Sequence, residues 1–452
     1  MVSRGTIENI AAIATAPGRG GIGVVRLSGN GLDAMLGPLI GILPAPRVAT
    51  HAKFMDESGG AIDDGLVLYF PAPHSYTGEE VVELHGHGGP SVMARLLKRC
   101  LSLGCRIARP GEFTERAFLN GKLDLAQAES VADIIDASTE EAARSAARTL
   151  TGEFSRLIKG LTAALTDLRA HVEACIDFPE EEIDPANAAA QRRKLAEIRK
   201  QLGELATRAT QGAVLRDGLT VVLIGRPNVG KSSLLNRLAG EDVAIVTPIA
   251  GTTRDHVRAT IHLSGVPIHL IDTAGLRDTE DPIEKIGVER TWAAIKQAGA
   301  ALLIVESGEM AGIHEAEILN QLPAALPIAW VYNKIDLYRP SGVSRETSKA
   351  GGSVRLHLSA LTGEGVDALR DWLLEAAGWR PQVEGVFLAR ERHLRALHQA
   401  AAHLDAAGKV GDQYEFFAEE LRLAHVAISS ITGEFTPDDL LGTIFSKFCI
   451  GK

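Results

Sequence analysis

The run Gly225-Arg226-Pro227-Asn228-Val229-Gly230-Lys231-Ser232 constrains this 452-residue chain more than any other feature. It follows the apolar segment Leu219–Ile224 and precedes the amphipathic Ser233–Leu238, the placement of a phosphate loop between a buried strand and a helix. Glycines let backbone N–H groups turn inward around phosphate oxygens, Lys231 reaches the outer phosphates, and the Ser232 hydroxyl can ligate magnesium. Such a loop requires an α/β sheet around it. Apolar runs at Ile268–Ile271, Ala301–Val305 and Ile328–Tyr332 supply further strands, with helix-compatible connections between them. The pattern predicts a doubly wound α/β domain over 218–377.

Four more loops follow in order. Gly251-Thr252-Thr253-Arg254-Asp255 lies where a mobile loop must bring a hydroxyl to magnesium, and Thr253 is the candidate. Asp272-Thr273-Ala274-Gly275 closes the second apolar strand. There Asp272 would hold the metal's water shell and the Gly275 amide would follow the γ-phosphate. In Asn333-Lys334-Ile335-Asp336, the Asp336 carboxylate can accept two hydrogen bonds from the N1–H and amino group of guanine, which adenine cannot offer. Ser359-Ala360-Leu361 would support the base through a backbone amide. Each tetrapeptide alone is ordinary loop content; five in order on one α/β pattern predict a GTPase. The residue after Gly275 is Leu276, where many switch GTPases place the glutamine that orients water, and no arginine is clearly a finger. Some other group must align the water.

The remaining chain divides by composition. Up to about residue 120, short strands (Gly23–Leu27, Leu66–Phe70, Val81–His85) and a helix over Ser91–Leu103 alternate with Gly and Pro. Over 121–217 the pattern is helical. Ala126–Ala147 lacks Gly and Pro; Phe154, Leu157, Leu161, Leu165, Leu168, Val172 and Cys175 form one stripe; Leu195, Ile198, Leu202 and Leu205 form another. The acidic run Asp177–Pro185 separates those two helices. Residues 378–452 return to helix, with a stripe at Phe417, Leu421, Ala424 and Ile428 and a last helix capped at Thr436-Pro437-Asp438. One layout packs the two helical pieces together with the α/β domain inserted between them.

The formal charge of −10 opposes nucleic-acid binding by the molecule as a whole, so RNA contact needs a local basic patch or a partner. Cys100, Cys105, Cys175 and Cys449 show no metal spacing and fit a reducing cytoplasm. The short run Ile10–Ala16 is no signal peptide, and no apolar stretch approaches the roughly 20 residues of a membrane span. The expectation is a soluble cytoplasmic protein.

The phosphate loop with its asparagine and the Gly-Thr-Thr-Arg-Asp switch resemble the translation-factor-related GTPases. Four further blocks narrow the resemblance: Pro17–Gly23, Glu83–Gly89, Arg109–Ala117 and the terminal Phe448-Cys449-Ile450-Gly451-Lys452. Over essentially its whole length the chain resembles the bacterial tRNA-modification GTPase family MnmE (also called TrmE). The resemblance implies an N-terminal α/β domain (1–120) that dimerises and binds a tetrahydrofolate derivative, 5-formyl- or 5,10-methylene-tetrahydrofolate. It implies a helical domain in two parts (121–217 and 378–452) and an inserted P-loop GTPase domain. It also implies a homodimer that forms a heterotetramer with the FAD-carrying partner MnmG (GidA). That complex adds an aminomethyl-type group to C5 of the wobble uridine of certain tRNAs. By motif match, Arg26, Glu83, Lys122 and Lys452 hold the folate. Asn228, Thr247, Ile249 and Thr252 hold a potassium ion that supplies the charge of an arginine finger, and Glu284 orients the attacking water. The implied nucleotide set joins Asn228, Val229, Gly230, Lys231, Ser232 and Ser233 to Thr247, Pro248, Ile249, Ala250, Gly251, Thr252 and Thr253, and to the three later loops, Lys334 included. Asn228, Lys231 and Glu284 form the catalytic group.

Blander readings stand beside these. Gly18–Gly23 precedes its strand and is no dinucleotide fingerprint. His85 and His87 flank a glycine and suit a turn better than a metal. Cys449 divides between chemistry and local packing, with no base adjacent in sequence. The seven Lys/Arg against two Glu over 191–216 suit a solvated helix face better than tRNA phosphates. Two functions compete with the resemblance. A ribosome-assembly or signalling GTPase would need an RNA-binding module such as a KH domain, and none is visible. A stand-alone folate-dependent aminomethyltransferase would turn over folate without a partner.

Overall fold

The structure, a computed structural model, describes residues 8–177, 185–240, 259–272, 298–308, 322–323, 326–338, 345–347, 354–410, 413–434, 438–446 and 448–451. By its internal contacts the chain forms two compact units. The first comprises 1–132, 149–199 and 399–452; the second comprises 133–148 and 200–398. These divisions fall inside helices, and the helix Pro185–Asp217 runs unbroken up to the first strand of the second unit's sheet.

The first unit holds a six-stranded sheet of β1 (Ile10–Ile13), β2 (Gly23–Gly29), β3 (Thr50–Met55), β4 (Ala61–Phe70), β5 (Glu80–Gly86) and β6 (Arg106–Ile107), in the order β3-β4-β5-β2-β1-β6. All pairs are antiparallel except β1 with β6. Alternation along a strand gives the sheet two characters. Val25 and Leu27 of β2 and Val82 and Leu84 of β5 enter an apolar core shared with α1 (Asp33–Ile40) and α2 (Pro90–Ser102). Arg26, Ser28 and Glu83 occupy the alternate positions: Arg26 pairs with Glu83 and lies over the Phe113 ring of α3 (Glu112–Leu119), and Ser28 donates to Glu79, which accepts from Arg116 of α3.

Helices follow: α4 (Leu125–Asp136), α5 (Glu140–Leu150), α6 (Glu153–Asp177) and α7 (Pro185–Asp217). The Ala-rich stretch expected as one helix is therefore two. The Thr139 hydroxyl accepts the Ala142 N–H at 3.2 Å, capping α5 and breaking the run. In α6 the stripe is shifted from the expected one: Leu157 is exposed and its neighbour Ile158 is fully buried. The paired helix Tyr414–Thr432 buries Phe417, Leu421, Ala424 and Ile428 and packs along α6. No helix among the described residues is long and apolar enough to cross a membrane.

The second unit is built on β7 (Leu219–Ile224), β8 (Ala259–Leu263), β9 (Val266–Asp272), β10 (Ala300–Glu306), β11 (Ile328–Asn333), β12 (Arg345–Thr347) and β13 (Val354–His357). Their order is β12-β13-β11-β10-β7-β9-β8; the central five are parallel, and β8 and β12 are antiparallel edges. Both faces are buried, Val221 and Leu223 of β7 entering one core and Val222 and Ile224 the other. The helices α8 (Lys231–Ala239) and α9 (Val366–Ala376) belong to this unit. After them come α10 (Glu391–Ala407), α11 (Tyr414–Thr432) and α12 (Asp438–Phe445). The fold is the expected mixture: an N-terminal α/β domain, helices, and a doubly wound sheet.

Candidate functional site

The phosphate loop joins β7 to α8. Gly230 caps α8 with φ 97°, and Asn228 also has positive φ, 68°, which asparagine tolerates better than most residues. The Lys231 ammonium is buried and donates to the carbonyls of Gly225 and Arg226, the latter at 3.0 Å. Ser232 and Ser233 follow in the first turn of α8, both exposed.

Asn333 closes β11 and is 2% exposed. Its Nδ2 donates to the Val229 carbonyl at 2.8 Å, and its Oδ1 accepts the Ala360 N–H at 2.9 Å. One side chain thus ties the phosphate loop to the Ser359-Ala360-Leu361 loop. Ser359 is fully buried, its N–H bound to the Glu364 carbonyl and its hydroxyl accepting the Thr362 N–H at 3.1 Å. Lys334, at φ 67°, donates to Glu306 Oε2 at 2.6 Å, and Asp336 is exposed two residues on. The structure therefore brings together Val229, Gly230, Asn333 and Ala360, with Lys334, Asp336 and Leu361 on the same loops. The backbone of Asp272 ends β9 in register with Leu223. Thr247–Thr253, Thr273–Gly275 and Glu284 lie outside the described residues.

A second constellation sits on the first unit's sheet. Arg26 and Glu83 stand opposite each other on β2 and β5, and Arg26 Nε donates to Glu83 Oε1 at 2.9 Å. His85 Nε2 lies 3.3 Å from Glu83 Oε2. The guanidinium is 5.6 Å from the Tyr76 ring centre and 5.8 Å from that of Phe113, within cation–π range. Burial pushes the Tyr76 phenol up, offset in part by its hydrogen bond to Thr114 and by the charge of Arg26. The chain terminus arrives here too. Arg26 Nη1 lies 3.5 Å from the Gly451 carbonyl, and a Cβ on Gly451 would stand 2.5 Å from the Ile13 carbonyl of β1. Lys122 is exposed and donates to the Pro73 carbonyl at 3.1 Å, while Lys452 lies outside the described residues. Tyr76 carried no sequence signal and Phe113 stood out only as part of the Arg109–Ala117 block, since only the tertiary fold sets them beside Arg26.

Elsewhere the blocks singled out in the sequence have structural work. Glu112 of the Arg109–Ala117 block is buried and accepts from Arg106 at 2.6 and 2.8 Å, from the Arg109 N–H at 2.8 Å and from Arg116 at 3.0 Å. Burial raises its pKa, but these donors outweigh it and hold the carboxyl at about 2. His87 pairs with Asp63 at 2.8 Å, and its pKa is raised by that bond. Among the described residues no three of His, Cys, Asp and Glu gather as a metal site. Cys449 is exposed, with its carbonyl accepting the Gly111 N–H at 3.3 Å.

Comparison with known proteins fixes the family. The family model described as the GTP-binding protein TrmE N-terminus matches residues 9–122, and that of the MnmE helical domain matches 125–449. The chain belongs to the MnmE family. A tRNA modification GTPase MnmE from Azoarcus sp. (strain BH72) is 59% identical over 446 residues, covering 98% of each chain. Another, from Thiobacillus denitrificans, is 57% identical over 443 residues, again with 98% of each covered. The G domain of the T. maritima FeoB iron transporter is 25% identical, covering 35% of this chain and 98% of that one, with a TM-score of 0.25. As an MnmE family member the chain is a tRNA modification GTPase.

Proposed function

We propose that this chain is the GTP-hydrolysing, tetrahydrofolate-binding subunit of a complex that adds a (carboxymethyl)aminomethyl group to C5 of the wobble uridine of certain tRNAs. Its relatives' name, tRNA modification GTPase, supports the tRNA half of that reading. In it, residues 1–120 bind folate and dimerise, 121–217 and 378–452 form the helical domain, and 218–377 are the G domain. The partner is the flavoprotein MnmG (GidA) with its FAD, the assembly is a heterotetramer around a homodimer, and the compartment is the cytoplasm.

The observation that carries the folate half is the Arg26–Glu83 pair, whose guanidinium lies against the Tyr76 and Phe113 rings. A carboxylate held by a guanidinium and an imidazole keeps lone pairs free for a flat ring that donates an N–H and an amino group from one edge. The donor set therefore fits a reduced pterin, which supplies the one-carbon unit when bound. Lys122 and Lys452 would hold its anionic tail.

In the nucleotide site, Asp336 recognises guanine, and Ser232, Thr253 and Asp272 hold magnesium directly or through its waters. Asn228, exposed by its left-handed backbone, is suited to a potassium ion together with Thr247, Ile249 and Thr252. Lys231 offsets charge on the outer phosphates and Glu284 positions the attacking water.

Titration of the full chain with 5-formyl-tetrahydrofolate tests the folate half. Saturable binding is expected, weakened at least about tenfold in Arg26→Ala and in Glu83→Ala, since each loses a charge-assisted contact. A flat titration of the parent, or unchanged affinity in both variants, contradicts it.

A further inference from the structure

The guanine-recognition loop is held by a residue that none of the five nucleotide loops contains. Arg237, in the second turn of α8, donates its Nε to the Ala360 carbonyl at 3.2 Å and its Nη2 to the Leu361 carbonyl. The Ala360 N–H donates in turn to Asn333 Oδ1 at 2.9 Å, and Asn333 Nδ2 donates to the Val229 carbonyl at 2.8 Å. Gly230, next after Val229, caps α8, the helix that carries Arg237. The contacts therefore close a ring: phosphate loop, Asn333, Ala360, Arg237, α8 and back to the phosphate loop.

This loop needs such a tie. Ala360 is buried in the apolar core but Leu361 is 75% exposed, so apolar burial does little to fix the loop beyond residue 360. Ser359 anchors only the strand-side end, through the Glu364 carbonyl and the Gly363 N–H. A guanidinium presents its donors in a rigid fork that spans two successive carbonyls; an ammonium on a flexible stem does not.

We propose that Arg237 is a positioning residue that sets guanine affinity by holding the Ser359–Leu361 loop in register with Asn333 and the phosphate loop. The proposal rests on the reading that these loops bind GTP. It separates the base end of the site from the phosphate end, because Arg237 touches the base loop's carbonyls and none of the phosphate-loop groups described above.

The experiment compares the full-length parent with Arg237→Ala and Arg237→Lys, using fluorescent GDP and GTP, displacement by pyrophosphate, and steady-state hydrolysis. Arg237→Ala is expected to raise the Kd of both nucleotides about tenfold through faster release, the effect of about two ordinary hydrogen bonds. Pyrophosphate affinity should stay within twofold, KM should rise, and kcat at saturating GTP should hold within about twofold. Arg237→Lys should fall between parent and alanine variant; it also serves as the probe if the alanine variant does not fold. Guanine-nucleotide affinity within twofold of the parent in both variants overturns the proposal. So does an equal loss of pyrophosphate and GDP binding, which would mark a general structural role. A parent that binds no GTP would instead overturn the nucleotide reading itself.

Discussion

Gly230 and Asn333 are fitted to each other: a Cβ on residue 230 would stand 2.1 Å from the Asn333 amide nitrogen, at a backbone φ of 97°. Gly230→Ala therefore faces a steric conflict and a strained backbone together, the strain alone costing about 1–2 kcal/mol. The side chain displaced is the one joining the phosphate loop to the base loop. The variant is expected to lose measurable GDP binding and to melt earlier. Fluorescent-nucleotide titration and thermal melting check both; parent-like affinity would mean the junction is unimportant.

Asp336→Asn should weaken GTP binding and favour xanthosine triphosphate. The amide cannot accept both guanine hydrogen bonds but can complement the xanthine carbonyl. Competition titrations with the two nucleotides read this out directly, and full GTP affinity in the variant would contradict the assignment.

Asn228→Ala addresses the proposed potassium site. Hydrolysis by the parent should be faster in potassium than in sodium, because the smaller ion fits a cage of amide and carbonyl oxygens poorly. The variant should lose that difference while keeping most of its nucleotide affinity. Rates measured in matched chloride salts decide; equal parental rates would remove the ion from the mechanism.

Much of the second unit was legible in the sequence because its chemistry is local. The turn before Lys231 needs its glycines within one loop, and strands buried on both faces, such as Leu219–Ile224, read as unbroken apolar runs. The first unit was less legible. β1, β3 and β6 are short or mixed, with β3 alternating exposed and buried residues. Arg26 and Glu83 were singled out by resemblance alone, because their pairing depends on a register spanning 57 residues. Arg237 left no trace, since a basic residue on a helix is ordinarily solvated and its partners lie 123 and 124 residues away. The α4–α5 break was hidden for a different reason: Ala-rich composition favours helix on both sides of Thr139, and only the cap marks the stop.

Glu112 sets a pH limit on the first unit. Its carboxyl is held at about 2 against an ordinary 4.5, so the folded state binds the proton less readily than the unfolded one. The stabilisation is fully present above pH 4.5 and is lost as pH falls toward 2. Glu112→Gln should cost about 3 kcal/mol at neutral pH, by removing the buried carboxylate that Arg106 and Arg116 share and leaving them only Glu8 and Glu79. It should also flatten the acid limb of the stability curve. Denaturant melts of parent and variant between pH 2 and 7 check the sign; an acid limb equally steep in both would assign the loss to other groups.

The proposed role of this GTPase is in wobble-uridine modification. The most direct test is nucleoside analysis of tRNA from cells lacking the chain, then from the same cells supplied with the parent or with Glu284→Ala. The C5 modification should vanish in the deletion and return with the parent. It should stay absent or sharply reduced with Glu284→Ala, whose GTP hydrolysis should fall by roughly two to four orders of magnitude. Wobble uridines unchanged by the deletion would contradict the claim and leave only a GTPase.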